Sequence, residues 1–403
     1  MKKLIFTCLL FVFIANITKA QFVTIPDVIF RNALKVKYPT CFNASDLMDT
    51  TCGMIVNEDT LIVKSRLIPS IEGVKYFKKL KYLDCSFNQL GSLPILPSSL
   101  THLDIRYNIF SSLPILPNTI TYLDCEYNQL TSLPSLPSSL IILYCNENQL
   151  TSLPLLPSSL EFLYCINNKL NSLPTLPNSL TRALFDYNNL TSLPTLPSSL
   201  KYLYCDNNQL TNLPTLPNSL FRLDCLNNQL TSLPNLPGTL ESLYCDNNQF
   251  TSLPSLPALL KHLTCTGNPL GCLPLLPNSL LSLRVKGTLI KCYPNQVSAT
   301  KDTILPICTN PSDICQVTGL ASNKNLDFKL FPNPTNGILR IELPYNGNGN
   351  WILSDISGRQ FKTDNIANGE KLMELNLNDL PSGTYFITIQ LGGNVSTAKV
   401  IKM

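Results

Sequence analysis

The sequence has one tryptophan and two histidines among its 403 residues, and only 14% of its residues are charged. Two histidines offer almost no material for a histidine-based catalytic or zinc site. The motifs G-x-G-x-x-G, G-x-x-x-x-G-K-[ST], H-E-x-x-H and G-x-S-x-G are also missing. We therefore predict a protein that is not an enzyme and that uses no cofactor and no metal. A net charge of +4 is small for this length, so the composition does not require a nucleic-acid partner.

Long apolar runs are missing as well, except at the amino terminus. There Lys2 and Lys3 precede the uncharged stretch Leu4–Ile17, and Ala20 follows it. A basic start, a short apolar run and a small residue are typical of a secretory signal peptide, so we predict one over residues 1–20 with cleavage after Ala20. The run is shorter than the roughly 20 residues that a membrane-spanning helix needs. We expect no transmembrane helix in the mature chain.

Proline is abundant, with 31 residues, because of an internal repeat. The pattern xxLxCxxNxLxxLPxLPxxL recurs ten times between about residues 81 and 280. Alternation at Leu83 and Cys85 predicts a short strand in each repeat, and the two prolines exclude a helix and favour an extended return segment. The eighth position is always asparagine, which we expect to form a ladder of side chains that satisfy backbone groups: Asn88, Asn108, Asn128, Asn148, Asn168, Asn188, Asn208, Asn228, Asn248 and Asn268.

This pattern resembles the leucine-rich repeat in its shortest bacterial form, in which LPxLP follows the asparagine. The resemblance implies a mainly β fold, a solenoid with a curved parallel sheet on its concave side and extended, polyproline-II-like segments on its convex side. We assign residues 81–290 to this solenoid. The repeat at Thr181–Leu190 has Ala183 and Phe185 at the inward positions, where leucine and cysteine are usual, and we expect local distortion of its strand.

Eight of the 15 cysteines occupy the inward strand position of the repeat: Cys85, Cys125, Cys145, Cys165, Cys205, Cys225, Cys245 and Cys265. Ile105 and Phe185 fill the same position in the other two repeats, which favours buried free thiols in an apolar seam. Disulfides between successive turns and a thiolate metal ladder are the alternatives, and both need geometry that parallel strands rarely supply.

A solenoid needs a cap at each end to cover its apolar seam. We assign residues 21–80 to the first cap, with a short helix over Ile25–Leu34 that has proline and aspartate in its first turn, and a degenerate repeat over Leu61–Leu80. Residues 291–325 form a second cap and linker. The remaining cysteines outside the signal peptide suggest disulfides in the caps: Cys41, Cys52, Cys272, Cys292, Cys308 and Cys315. A four-cysteine zinc site is the alternative at the second cap, but the usual C-x-x-C pairs are missing.

Short strands separated by turn residues fill the end of the chain and predict an antiparallel β-sandwich over residues 326–403. Four motifs occur in order: Phe331–Gly337, Asp355–Arg359, Leu380–Tyr385 and Lys399–Lys402. They resemble the hallmarks of the C-terminal sorting domain of the type IX secretion system of Gram-negative bacteria. The resemblance implies recognition by that machinery, passage across the outer membrane, and a protein that is secreted or held on the cell surface.

The concave face of the solenoid is the predicted binding surface, because tyrosine and arginine on a rigid sheet favour contacts with a partner. We expect a protein or a surface glycan as the partner, with adhesion as one role; a structural surface scaffold without a specific ligand is the alternative. Residues 81–280 contain eleven acidic and seven basic residues, which disfavours nucleic acid. The candidate residues are Tyr122, Asp124, Tyr144, Phe162, Tyr164, Arg182, Tyr202, Tyr204, Arg222 and Tyr244.

Overall fold

The computed structural model describes residues 21–309, 315, 328–343, 349–355, 360–367, 371–391 and 394–403. The predicted signal peptide and the turn of the second sorting motif, residues 356–359, lie outside these ranges. So does most of the predicted linker, residues 310–314 and 316–325.

The amino-terminal cap contains a ten-residue helix, α1 (Val28–Lys37), and a short helix, α2 (Gly53–Val56). Asp27 is the N-cap of α1, and its side chain accepts a hydrogen bond from the Phe30 backbone N–H. The predicted helix therefore exists, but Pro26 and Asp27 precede it. Two 3-10 turns (Pro39–Cys41 and Val74–Tyr76) and the antiparallel pair β1 (Phe22–Val23) and β2 (Met48–Asp49) complete the cap.

A parallel sheet of 13 strands in chain order dominates the described residues. Its strands are β3 (Thr60–Ile62), β4 (Tyr82–Asp84), β5 (His102–Asp104), β6 (Tyr122–Asp124), β7 (Ile142–Tyr144), β8 (Phe162–Tyr164), β9 (Arg182–Leu184), β10 (Tyr202–Tyr204), β11 (Arg222–Asp224), β12 (Ser242–Tyr244), β13 (His262–Thr264), β14 (Ser282–Arg284) and β15 (Thr300–Lys301). The sheet is longer than the ten repeats, because β3 precedes them in the first cap and β14 and β15 follow them.

From β4 to β14 the register of the sheet is uniform: each residue of a strand pairs with the residue twenty places later. The end strands differ, because Thr60 of β3 pairs with Tyr82 and Ser282 of β14 pairs with Thr300. The expected distortion at the sixth repeat is wrong. Strand β9 pairs in the same register with both neighbours, and Ala183 and Phe185 are both fully buried. The smaller Ala183 and the larger Phe185 fill the same seam as leucine and cysteine elsewhere, which explains why the strand needs no adjustment.

The solenoid has one continuous apolar core made of the repeating leucines and the eight ladder cysteines. All eight of those cysteines are free thiols and buried. Burial raises the pKa of the Cys205 thiol well above its usual range, so it remains protonated. Its Sγ lies 3.3 Å from the backbone oxygen of Asp224, to which it donates. The thiols thus act as small apolar side chains, and six of them, such as Cys205, donate a weak hydrogen bond to a backbone oxygen of the next turn.

Three disulfides lie in the caps. Cys41 pairs with Cys52 beside α2, and two further disulfides join Cys272 to Cys315 and Cys292 to Cys308 at the other end of the solenoid. Cys315 is also hydrogen-bonded through its N–H to the Leu273 oxygen. These cross-links fasten the covering segments over both ends of the apolar seam.

The carboxyl-terminal residues form two antiparallel sheets with a core of their own. One sheet has the order β16 (Lys329–Phe331), β17 (Ile338–Glu342), β20 (Leu372–Asn376). The other has the order β19 (Gln360–Ile366), β18 (Gly349–Ser354), β21 (Gly383–Leu391), β22 (Asn394–Lys402). Alternate residues such as Leu339 and Ile341 are buried between the sheets, as in a β-sandwich.

Candidate partner-binding surface

The concave face carries side chains from the first and third residues of each three-residue strand. Because the register is uniform, the side chains of successive strands line up in two columns. The ten predicted residues all lie in these columns. The first column contains Tyr122, Phe162, Arg182, Tyr202 and Arg222, and the second contains Asp124, Tyr144, Tyr164, Tyr204 and Tyr244. Nine of them are half-buried, whereas Asp124 is buried.

The aromatic rings of the early turns are stacked along the first column. The ring centroids of Tyr82 and His102 are 4.2 Å apart, and those of His102 and Tyr122 are 3.8 Å apart. The series then crosses to the second column, where Tyr144 lies 5.6 Å from Tyr122 and 4.6 Å from Tyr164. Neighbouring rings therefore limit each other's rotamers and hold a continuous aromatic surface over five turns.

Two arginines extend this surface into the later turns. The Arg182 guanidinium lies 4.6 Å from the centre of the Tyr202 ring and donates to the Tyr164 hydroxyl at 3.3 Å. Arg222 lies between Tyr204 and Tyr244, at 5.0 and 4.5 Å from the ring centres. Cation–π contacts of this kind hold both the ring and the cation in place before any partner arrives.

Carboxylates lie beneath and beside these rings. Arg106 is within 3.4 Å of Asp104 and 3.3 Å of Asp124, and Arg222 forms a two-pronged pair with Asp224 at 2.8 Å for both contacts. Burial, with the charge of Asp124 as a smaller cause, raises the pKa of Asp104 to about 6. Burial is also the main reason that the pKa of Asp206 rises to about 8.

The raised pKa of Asp206 makes the stability of the solenoid depend on pH. Folding favours the protonated carboxyl, so its stabilising effect is complete below the unfolded value near 4 and is lost as the pH rises through about 8. Asp206→Asn keeps the oxygen that accepts the Leu226 N–H at 2.8 Å but cannot ionise. We expect it to raise the midpoint of thermal unfolding at pH 9 by about 3 °C and to change little at pH 5. The prediction is wrong if the midpoint of thermal unfolding changes with pH in the variant as much as it does in the wild type.

A feature that the sequence analysis did not identify lies just after each strand. The seventh position of all ten repeats, and Gly287 after them, has a positive φ of 51–73°. Asparagine and glycine tolerate this left-handed conformation, but Phe87, Tyr107, Tyr127 and Tyr187 also adopt it, with φ of 52–54°. For such residues it costs about 1 kcal/mol or more. The recurring asparagine and glycine at the seventh position were the sequence signal that could have predicted this left-handed conformation.

The asparagine ladder lies one residue further along and is buried or nearly so. Asn208 is representative: its Nδ2 donates to the backbone oxygens of Phe185, Cys205 and Asp206, and its Oδ1 accepts the Leu190 N–H at 3.0 Å. The side chain thus bridges two turns where the backbone leaves the sheet. These asparagines have a structural role and do not contribute to a partner surface.

No group of three or more His, Cys, Asp or Glu in the described ranges is arranged to hold a metal ion. Among the same residues, no helix is both long enough and apolar enough to span a bilayer.

In the sorting region the first and last of the four sequence motifs meet. The Asn333 side chain donates to the Lys399 oxygen at 2.6 Å and accepts the Ile401 N–H at 2.9 Å. The buried Thr335 is bonded through its backbone to Ile401 and Met403, at 2.8 and 2.9 Å. The opening motif is therefore hydrogen-bonded to the end of the last strand, and we call this contact the clasp.

Comparison with known proteins supports this description of both regions. Residues 329–403 match the family of secretion system C-terminal sorting domains. No curated protein sequence matches the chain.

Among solved structures, YopM from Yersinia enterocolitica is similar, with 35% identity and a TM-score of 0.54 over 61% of this chain and 60% of that one. The match thus spans less than two thirds of that YopM. YopM from Yersinia pestis, described as a leucine-rich effector protein, has 32% identity and a TM-score of 0.48 over 64% of this chain and 87% of that one. The functional domain of InlJ from Listeria monocytogenes, described as including a cysteine ladder, has 21% identity and a TM-score of 0.49 over 94% and 97%.

The sorting domain marks the protein for export, to the cell surface or beyond it. Residues 329–403 are a type IX secretion C-terminal sorting domain, and the repeats before them form a solenoid similar to that of a bacterial leucine-rich-repeat protein.

Proposed function

We propose that the protein is carried by the type IX machinery to the exterior of the outer membrane of a Gram-negative bacterium, where its concave face binds a protein or a surface glycan. The observation that carries the proposal is the continuous surface of half-buried tyrosines and arginines on the sheet. These are the residue types that contribute most to binding energy at protein interfaces.

The main physical support for this proposal is that the side chains of the concave face are already held in place. Tyr144 and Tyr164 are held by ring contacts, and Tyr204 is held by Arg222. Side chains that already occupy one conformation lose little entropy when a partner covers them, so more of the contact energy remains as affinity. The sheet supports these side chains in fixed columns, because the strands from β4 to β14 pair in one register.

The charge of the repeats narrows the class of partner. Their excess of acidic residues, eleven against seven basic, repels a phosphate backbone. We therefore propose no nucleic-acid partner.

The test replaces three tyrosines of the concave face together, Tyr144→Ser, Tyr164→Ser and Tyr204→Ser, in the full exported chain. We expect saturable binding to immobilised matrix proteins, host cells or a glycan array to weaken by about 30-fold or more, because each lost tyrosine removes a large ordered contact. Binding is measured as a titration, with thermal unfolding as the check on folding.

The matched control replaces two large residues on the convex side, Ile115→Ser and Leu155→Ser, which are 81% and 85% exposed. It removes comparable apolar surface away from the proposed site and is expected to leave binding unchanged. If the tyrosine variant binds as the wild type does, or if no saturable binding is found, the concave face is a scaffold surface and the proposal is wrong.

A further inference from the structure

Three exposed aromatic rings form a short strip along the edge of the concave face in the first three turns. We call Phe87, Tyr107 and Tyr127 the aromatic strip. Their ring centroids are 4.3 and 4.1 Å apart, with interplanar angles of 13° and 8°. The three side chains are 43%, 40% and 42% exposed. The strip is separate from the two columns described above, since it follows the strands at the seventh repeat position.

The conformation of the strip argues against a purely structural role. All three residues have the positive φ that asparagine and glycine tolerate best, and the later turns use Asn207, Asn227, Asn247, Gly267 and Gly287 at this position. The rings contribute nothing to the apolar core of the solenoid. The fold would therefore be served at least as well by asparagine, and the aromatic residues need another explanation.

The surroundings of the strip are acidic at its Tyr127 end, whereas Lys64 lies beside Asp84 and the Arg66 backbone lies beside Asn88 at the other end. Residues 81–150 contain five acidic side chains and two basic ones, and one of the basic ones, Arg106, is held by Asp104 and Asp124. The pKa of the Tyr127 phenol is raised, first by its hydrogen bond to Tyr107 and further by the charges of Glu147 and Glu126. Glu147 holds the same repeat position as Tyr127 in the next turn, so a carboxylate follows the last ring of the strip.

In the later turns of the solenoid, tyrosine rings are contacted by arginine side chains. In the later turns Arg182 covers the Tyr202 ring, and Arg222 lies between two tyrosines while paired with Asp224. Within the described part of the chain, no lysine or arginine side chain lies over a ring of the strip. The strip therefore combines aromatic rings with nearby carboxylates but lacks the guanidinium that accompanies them elsewhere.

We propose that the aromatic strip binds a partner protein through arginine or lysine side chains that the partner presents. This inference rests on the proposed function, because it names the chemistry of the partner. Tyr127 is 42% exposed and Glu147 follows it at the same position of the next turn, so a cation that contacts the Tyr127 ring also approaches a carboxylate. A glycan is less well suited, because a sugar ring packs on a free aromatic face, and the facing sides of these three rings cover one another.

The experiment uses the full chain and a fluorescently labelled short peptide of alternating arginine and glycine. A second peptide with citrulline in place of arginine keeps the shape and removes the charge. We expect the arginine peptide to bind, the citrulline peptide to bind at least about tenfold more weakly, and added salt to weaken the first. Fluorescence anisotropy gives both dissociation constants.

The test variant is Tyr107→Asn with Tyr127→Asn, and the matched control is Tyr187→Asn. Tyr187 has the same backbone conformation, with φ of 54°, and is 58% exposed, but asparagines occupy this position in both adjacent turns. Both variants should keep or raise the midpoint of thermal unfolding, by roughly 2–4 °C where strain is relieved. Only the test variant should lose peptide affinity, by about tenfold or more.

Three outcomes would overturn the inference: equal affinity for the citrulline peptide, unchanged affinity in the test variant, or binding of a neutral β-glucan oligosaccharide in place of the arginine peptide. Each of them leaves the result of the Tyr144, Tyr164 and Tyr204 variant unaffected. Failure of this inference is thereby distinguishable from failure of the proposed function.

Discussion

Asn208→Ala should lower the free energy of unfolding of the solenoid by about 3–5 kcal/mol, the largest effect we expect from a single substitution that removes no apolar surface. The Leu190 N–H loses the Asn208 oxygen that it donates to, and the oxygens of Phe185 and Cys205 lose the donated Nδ2–H. Asn208 is buried, with 8% of its surface exposed. Each buried polar group left unpaired costs about 1–3 kcal/mol.

The neighbouring residue is the matched control for this prediction. Gln209 is exposed, and its side chain points away from the ladder, so Gln209→Ala should change stability by less than about 0.5 kcal/mol. Denaturant titrations followed by circular dichroism give both values. Since each turn contacts only its neighbours, we also expect amide exchange to quicken first around residues 185–210. Equal stability of the two variants would mean that the ladder contributes little.

The period of twenty was enough to predict the solenoid and its register, because the pattern specifies each turn separately. Leu203 and Cys205 point inward, and Tyr202 and Tyr204 point outward, for the same reason in every turn: alternation along a strand. The sequence also placed Phe185 correctly in the seam, where it is fully buried. Periodic information of this kind does not depend on knowing the tertiary structure.

Features that are not periodic could not be predicted in the same way. Strand β3 begins the degenerate repeat predicted over Leu61–Leu80 and β14 lies within the predicted solenoid, but β15 lies in the second cap, whose sequence departs from the repeat, and was not predicted. The placement of Arg222 between Tyr204 and Tyr244 depends on side-chain rotamers across three turns. The left-handed backbone at Tyr107 was hidden because tyrosine gives no local signal for it.

In the sorting region, too, some features could be predicted from the sequence and others could not. Its motifs could be found in order along the sequence, but their order does not say which of them touch. The contact of Asn333 with Lys399 and Ile401 joins residues more than sixty places apart. Only the antiparallel pairing of β21 with β22 brings the last strand into position for it.

Removal of residues 329–403 should abolish appearance of the protein outside the cell while leaving the solenoid folded. The two regions have separate cores among the described residues: the apolar cluster of the solenoid ends at Val297, and that of the sorting region begins at Leu339. Loss of the second core therefore leaves the first complete. A shortened chain that folds but is not recognised by the secretion machinery should accumulate in the periplasm and should not be detected at the surface.

Protease treatment of intact cells, followed by detection of the protein in each cell fraction, measures this distribution. The periplasmic product is then purified, and its thermal unfolding is compared with that of the full chain to show that folding was not the cause. A milder variant, Asn333→Ala with Thr335→Ala, removes the Asn333 side-chain bonds to the last strand and the local bond from the Thr335 hydroxyl to the Ile338 oxygen. We expect partial export from it, because the sheets remain while the clasp is weakened. Normal surface display of the shortened chain would show that export depends on some other part of the protein.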